Sequence, residues 1–294
     1  MTVQVCIVTG FGINTEREMA LAFELAGARA ACLHLNDLVA DPARLAEFGI
    51  FAVPGGFSFG DHLGSGAMLA ALMARTLREP LAAFIDRGGL VLGVCNGFQV
   101  LVRMGLVPGL DGWAQSVALV HNDSGRFEDR WVEVRFDPAS PCLWTRGIER
   151  LALPVRHGEG KLVAPDDLLG RIDAAHLGAA RYTTTAAQGD SESTTVPYPA
   201  NPNGSLRNLA GLCDPSGQVF GLMPHPEAFL HRHHHPTWRN APPEQPTAMD
   251  DGALQVFRNA VRHAGARQAA ARRASYRRNP AAPVYCGVPD LPGA

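Results

Sequence analysis

The 294-residue sequence predicts an α/β fold: a mostly parallel central sheet covered by helices on both faces and extended by antiparallel strands. Three observations carry this. Through residue 105, short apolar runs alternate with segments of helical spacing, the pattern of strand–helix–strand crossovers. One of those runs, Leu90-Val91-Leu92-Gly93-Val94, feeds through a tight Gly-x-Cys-x-Gly corner into a helix. Beyond residue 105 the texture changes to short apolar stretches with polar corners, as in antiparallel pairing.

Residues 2–9 form an apolar run ending at Gly10, typical of a buried parallel strand. Asn14-Thr15-Glu16-Arg17-Glu18 supplies a cap and an acidic first turn. Met19, Ala20, Phe23 and Leu25 then give helical spacing, with Gly27 as the stop. Residues 29–35 and 50–53 are the second and third strands, and Pro54-Gly55-Gly56-Phe57-Ser58 closes the third with a loop that exposes its backbone. One long Ala- and Leu-rich helix is expected over 67–87, then the strand before Cys95 and a helix to Gly105. Further strands are expected at 117–120, 131–136, 151–155 and 178–184, followed by a hairpin over 209–222 through Pro215-Ser216-Gly217. A helix over about 252–263 closes a globular domain of residues 1–265. Residues 266–294 read as a flexible basic tail, with Arg267, Arg272, Arg273, Arg277 and Arg278 among Ala, Pro and Gly.

The formal net charge of -2 gives no global attraction to nucleic acid or membrane. No segment has the length of a bilayer span and no signal-type N-terminus is present, so a reduced, cytoplasmic protein is expected. Six cysteines in a chain this long make no disulfide framework, and Cys6 and Cys213 sit within apolar strand patterns as core residues. Gly10-Phe11-Gly12 lacks the third glycine of a dinucleotide fingerprint, and there is no Walker-type loop.

The chemistry concentrates at two places. Gly93 and Gly97 flank Cys95 at minus two and plus two, where side chains would crowd the turn. At the start of a helix the Cys95 thiol lies over unpaired N–H groups and the positive end of the dipole, which favours thiolate. Far downstream, Phe220-Gly221-Leu222-Met223-Pro224-His225-Pro226-Glu227 is an apolar strand ending in a histidine between prolines. Each proline biases its predecessor to an extended conformation, in which His225 and Glu227, two apart, face one site. His225 then exchanges a proton with Cys95 while Glu227 orients the ring and stabilises its charged form. The Asn96 N–H, with the Gly56 N–H, would receive a developing oxyanion.

With these residues the chain resembles the class I (triad) glutamine amidotransferases, whose Gly-x-Cys-x-Gly-x-Gln pattern is met by Gly93, Cys95, Gly97 and Gln99. Within them it is most similar to the glutaminase components of phosphoribosylformylglycinamidine synthase. That narrower likeness rests on Pro54 through Asp61, Asn122-Asp123 with Arg126-Phe127, His157-Gly158-Glu159-Gly160, Asn201-Pro202-Asn203-Gly204-Ser205 and Met223 through Glu227. The resemblance implies a flavodoxin-like three-layer sandwich. It implies hydrolysis of glutamine to glutamate and ammonia, with Cys95 as nucleophile, His225 as acid/base and Glu227 as its orienter. Gln99, Asn122, Phe127 and His157 would lie at the glutamine site. Ammonia would pass to a synthetase partner, in some assemblies with a small third subunit, that uses ATP and magnesium on formylglycinamide ribonucleotide. No cofactor or metal is expected in this chain.

Three features depart from the family pattern. Ala228 stands where an arginine commonly follows Pro-His-Pro-Glu, an insertion at 229–247 carries His231, His233, His234 and His235, and the tail lies outside the likeness. Adjacent histidines cannot all converge on one ion, so that insertion reads as a solvated or partner-facing loop. Two other readings keep the fold: a different class I amidotransferase or γ-glutamyl hydrolase, and a non-catalytic scaffold. The His157 and Asn201 segments argue against the former, and the complete Cys95, His225, Glu227 and Gln99 set against the latter.

Overall fold

Apolar runs without alternation become the centre of the sheet, because only a strand covered on both faces can hide such a run. The computed structural model describes residues 2–184, 195–240 and 251–278. Its strands are β1 (Gln4–Thr9), β2 (Arg29–His34), β3 (Ile50–Val53), β4 (Leu90–Val94), β5 (Ala118–His121), β6 (Glu128–Phe136), β7 (Arg150–His157), β8 (Glu159–Val163), β9 (Ala180–Thr183), β10 (Leu209–Cys213) and β11 (Val219–Leu222). Its helices are α1 (Glu16–Leu25), α2 (Leu35–Ala40), α3 (Ala67–Thr76), α4 (Arg78–Asp86), α5 (Asn96–Arg103), α6 (Asp166–Ala174) and α7 (Leu254–Arg278).

One nine-stranded sheet runs β2-β1-β3-β4-β11-β10-β9-β6-β7, and β5 pairs with β8 in a separate ribbon. The first five strands are parallel, in the flavodoxin-like order whose sites lie beyond the carboxyl ends of the strands. The remaining pairings are antiparallel. The expected α/β class and the added antiparallel strands are thus both present. Strands β3, β4 and β11 are buried throughout. Helix α5 packs against them so closely that a Cβ on Gly221 would lie 2.0 Å from the Phe98 ring. On the opposite side α1 meets α7 through an edge-to-face contact of Phe23 and Phe257, with ring centroids 5.0 Å apart.

Several elements differ from expectation. The single helix over 67–87 is two, broken at Leu77 (φ −114°, ψ 2°). Pro80 explains the break: it has no N–H to bond Thr76, and its ring clashes with that carbonyl, so the helix must restart. Helix α6 begins after Pro165 with Asp166 and Asp167 in its first turn, and β8 follows directly on His157; neither was anticipated. The last helix does not stop near 263 but continues to Arg278. Its extension is dense in Ala and Arg, strong helix formers, and Arg267 anchors it by donating to the Arg87 carbonyl at 3.0 Å. The rest of the expected tail, with Cys286, lies outside the described residues.

Candidate active site

Cys95 sits where β4 turns into α5, with φ 52° and ψ −107°, a conformation a residue with a side chain adopts only under strain. The flanking glycines hold it there. A Cβ on Gly97 would lie 1.9 Å from the Val53 carbonyl oxygen, and one on Gly93 2.6 Å from that of Gly97. The Cys95 N–H donates to Leu222 O at 2.8 Å, tying the elbow to β11. Its thiol points at Arg156 O, 3.6 Å away on β7.

His225 is extended (φ −101°, ψ 92°), as its prolines require. Glu227, however, does not share an extended strand with it. Pro226 opens a 3-10 turn over Pro226–Ala228, and this turn folds the carboxylate back onto the ring. The result is a buried contact of 2.7 Å between His225 Nδ1 and Glu227 Oε1. The His225 N–H donates to Pro154 O at 2.9 Å. Its Nε2 is buried without a hydrogen-bond partner. Burial acts against the imidazolium, but the Glu227 carboxylate, with Cys95 beside it, outweighs it and raises the ring's pKa to about 10.

The third wall is the loop after β3. A Cβ on Gly55 would lie 2.8 Å from His225 Cε1 and 3.5 Å from Cys95 Cβ, so main chain alone fits between them. Gly56, at φ 144°, bridges to Ile13 and can only be glycine. The Gly55 N–H is consumed by Thr15 Oγ1 at 2.9 Å and so is not available to the site. Asn96, first residue of α5, has no carbonyl one turn back for its N–H. The Cys95 elbow, the Gly55–Gly56 loop and His225 thus meet at the carboxyl ends of β3, β4 and β11, where acyl transfer would need a thiol, a base and N–H donors together.

The other expected site residues divide. Gln99 is engaged at both ends of its amide, accepting from Asn96 Nδ2 at 3.0 Å and donating to Glu159 O at 2.6 Å. It braces α5 against β8. Asn122 donates to Arg126 O and His157 O (3.0 and 2.7 Å), and its Oδ1 meets His157 Nδ1 at 3.0 Å. His157 is buried, and burial and then the charge of His225 push its pKa down to about 3. Phe127 is half-exposed at the rim, its ring 6.2 Å from that of Phe57.

A model of the CobB/CobQ-like glutamine amidotransferase domain matches residues 2–264. The chain belongs to this family. Among curated relatives, the phosphoribosylformylglycinamidine synthase subunit PurQ of Dehalococcoides mccartyi is 44% identical over 86% of this chain and 94% of its own length. That of Methanococcus maripaludis is 37% identical over 88% and 97%. Among solved structures, PurLQS from Thermotoga maritima matches with a TM-score of 0.65 and 28% identity, covering 90% of this chain and 99% of that one.

Within this amidotransferase framework, some residues carry no motif and were missed by sequence reasoning. Thr15 takes up the Gly55 N–H. Pro154 and Arg156 contribute only main-chain carbonyls, so no side-chain pattern could mark them. Tyr182, which no motif marks, accepts from Asn203 Nδ2 at 3.2 Å. The histidine insertion is not simply solvated: His235 packs on Trp131 with centroids 4.6 Å apart. The Nδ1 atoms of His231, His234 and His235 accept backbone N–H groups and so cap local turns. Ala228 ends the Glu227 turn and is half-buried.

Proposed function

We propose that this chain is the glutamine-hydrolysing subunit of a phosphoribosylformylglycinamidine synthase of purine biosynthesis. The observation that supports the reading is the buried His225–Glu227 pair facing Cys95 across Gly55 at a strained elbow, in a chain that spans nearly the whole length of the named relatives. Cys95 Sγ attacks the glutamine side-chain carbonyl, and the Asn96 and Gly56 N–H groups receive the oxyanion. His225 Nε2 gives its proton to the departing nitrogen, leaving a thioester and ammonia. Water, deprotonated by the same nitrogen, then releases glutamate and frees the thiol. Glu227 holds the ring and its charge throughout.

Ammonia escaping into neutral water is protonated and lost as a nucleophile, so the subunit works with a synthetase that consumes it. ATP and magnesium belong to that partner, which converts formylglycinamide ribonucleotide to the amidine. The test is Cys95→Ala in the reconstituted assembly. Glutamine-dependent amidine synthesis should vanish while synthesis from added ammonium persists; continued glutamine turnover would refute the mechanism. Co-purification from the native cell identifies the synthetase and any small third subunit.

A further inference from the structure

His157 is a buried titratable group on the strand that touches the triad, and the reaction just described leaves it without a task. It is 3% exposed, and its Nε2 has no hydrogen-bond partner. Such an atom in a folded interior is costly and calls for a reason. Its protonation state follows from its neighbours. Asn122 spends both amide hydrogens on the carbonyls of Arg126 and His157, which fixes the amide and turns Oδ1 toward His157 Nδ1. An amide oxygen only accepts, so the network assigns the ring proton to Nδ1 and leaves Nε2 with a bare lone pair.

The ring's position is equally constrained. A Cβ on Gly160 would lie 2.6 Å from His157 Cε1 and Nδ1, so the main chain of β8 presses directly on the ring. On β7, Pro154 O receives the His225 N–H and Arg156 O receives the Cys95 thiol. His157 is the next residue along that strand, which sets its ring beside the segment that touches both Cys95 and His225.

We propose that His157 Nε2 is the acceptor for the nitrogen leaving glutamine. This inference rests on the glutaminase reading. As the tetrahedral adduct collapses, the C–N bond breaks, its electron pair takes the proton from His225 Nε2, the carbonyl re-forms as a thioester, and neutral ammonia departs. Each hydrogen of that ammonia is a donor. A lone pair on an imidazole that stays unprotonated binds one of them without returning a proton, so the product remains ammonia. The two histidines thus have opposite duties, set by environments that drive their proton affinities apart.

The test compares two substrates in the intact assembly with its synthetase: glutamine and glutamate γ-methyl ester. The ester's leaving oxygen carries no hydrogen of its own, so an acceptor gives it little help. In His157→Phe the ratio of glutamine to ester kcat should fall at least tenfold. His157→Gln, which restores an acceptor oxygen, should recover part of it. Equal losses on both substrates, or a Gln variant no better than Phe, would overturn the inference while leaving the glutaminase reading intact. Absence of glutamine turnover in the parent assembly would instead bring down both. Independently of either variant's folding, a histidine 15N–1H spectrum of the parent should show His157 protonated at Nδ1; a proton at Nε2 would overturn the assignment.

Discussion

Glu227→Gln keeps the volume of the side chain and an oxygen for His225 Nδ1–H to bond, and removes only the charge. Burial is the largest single influence on His225 and opposes its charged form, while Glu227 is the largest of the opposing influences. Without the carboxylate the ring's pKa should drop from about 10 to near or below its ordinary 6.5. At 1.36 kcal/mol per pKa step, this withdraws roughly 5 kcal/mol from the imidazolium, the form that protonates the leaving nitrogen. A fall in kcat for glutamate release of about 100- to 10,000-fold is expected, the span of general acid–base catalysis. Steady-state glutamate release by the assembly, alongside an NMR titration of His225, reads both quantities. Activity within tenfold of the parent, or a His225 midpoint still near 10, would refute the reasoning. Stability follows the same linkage. Because the folded-state value exceeds the unfolded 6.5, the pair's contribution is complete below about pH 6.5 and is lost as pH rises through about 10. The variant should therefore be less stable than the parent at pH 7, and the gap should close above pH 10.

Thr15→Val leaves the Gly55 N–H without its 2.9 Å acceptor and frees the loop that presents Gly56. A loss of about 1–3 kcal/mol in stability and roughly tenfold in kcat is expected, with Thr15→Ser near the parent in both; unchanged kinetics in the Val variant would count against Gly56 as an oxyanion donor. His157, held at about 3 in the fold against 6.5 in the unfolded chain, makes the unfolded state the better proton binder between those values. Urea-unfolding free energy should accordingly decline by about 1.4 kcal/mol per pH unit as pH falls through that window, and His157→Gln should flatten the slope.

The parallel half of the fold was legible because each of its strands is a local apolar run and each helix has a local period. The elbow was legible for the same reason: Gly93, Cys95 and Gly97 act within five residues. His225 and Glu227 were found by their spacing, although the turn at Pro226, not strand alternation, brings them together. What escaped detection depends on contacts distant in sequence. Gln99 reads as a substrate contact until Glu159, 60 residues away, is seen to hold its amide. The carbonyls of Pro154 and Arg156 carry no side-chain signature. The break at Pro80 was readable and was overridden by the apolar period on either side of it. The long α7 was misjudged because arginines among alanines suit a solvated tail and an exposed helix equally well.

Strand β7 ends the large sheet, and the outer margin of any sheet invites pairing with a foreign chain. Here two successive outward carbonyls, those of Pro154 and Arg156, are occupied by the His225 amide and the Cys95 sulfhydryl. The reactive centre therefore doubles as a seal on an adhesive border. Selection for solubility and selection for turnover act on the same few atoms, and a descendant that abandoned catalysis would still need something to cover that margin.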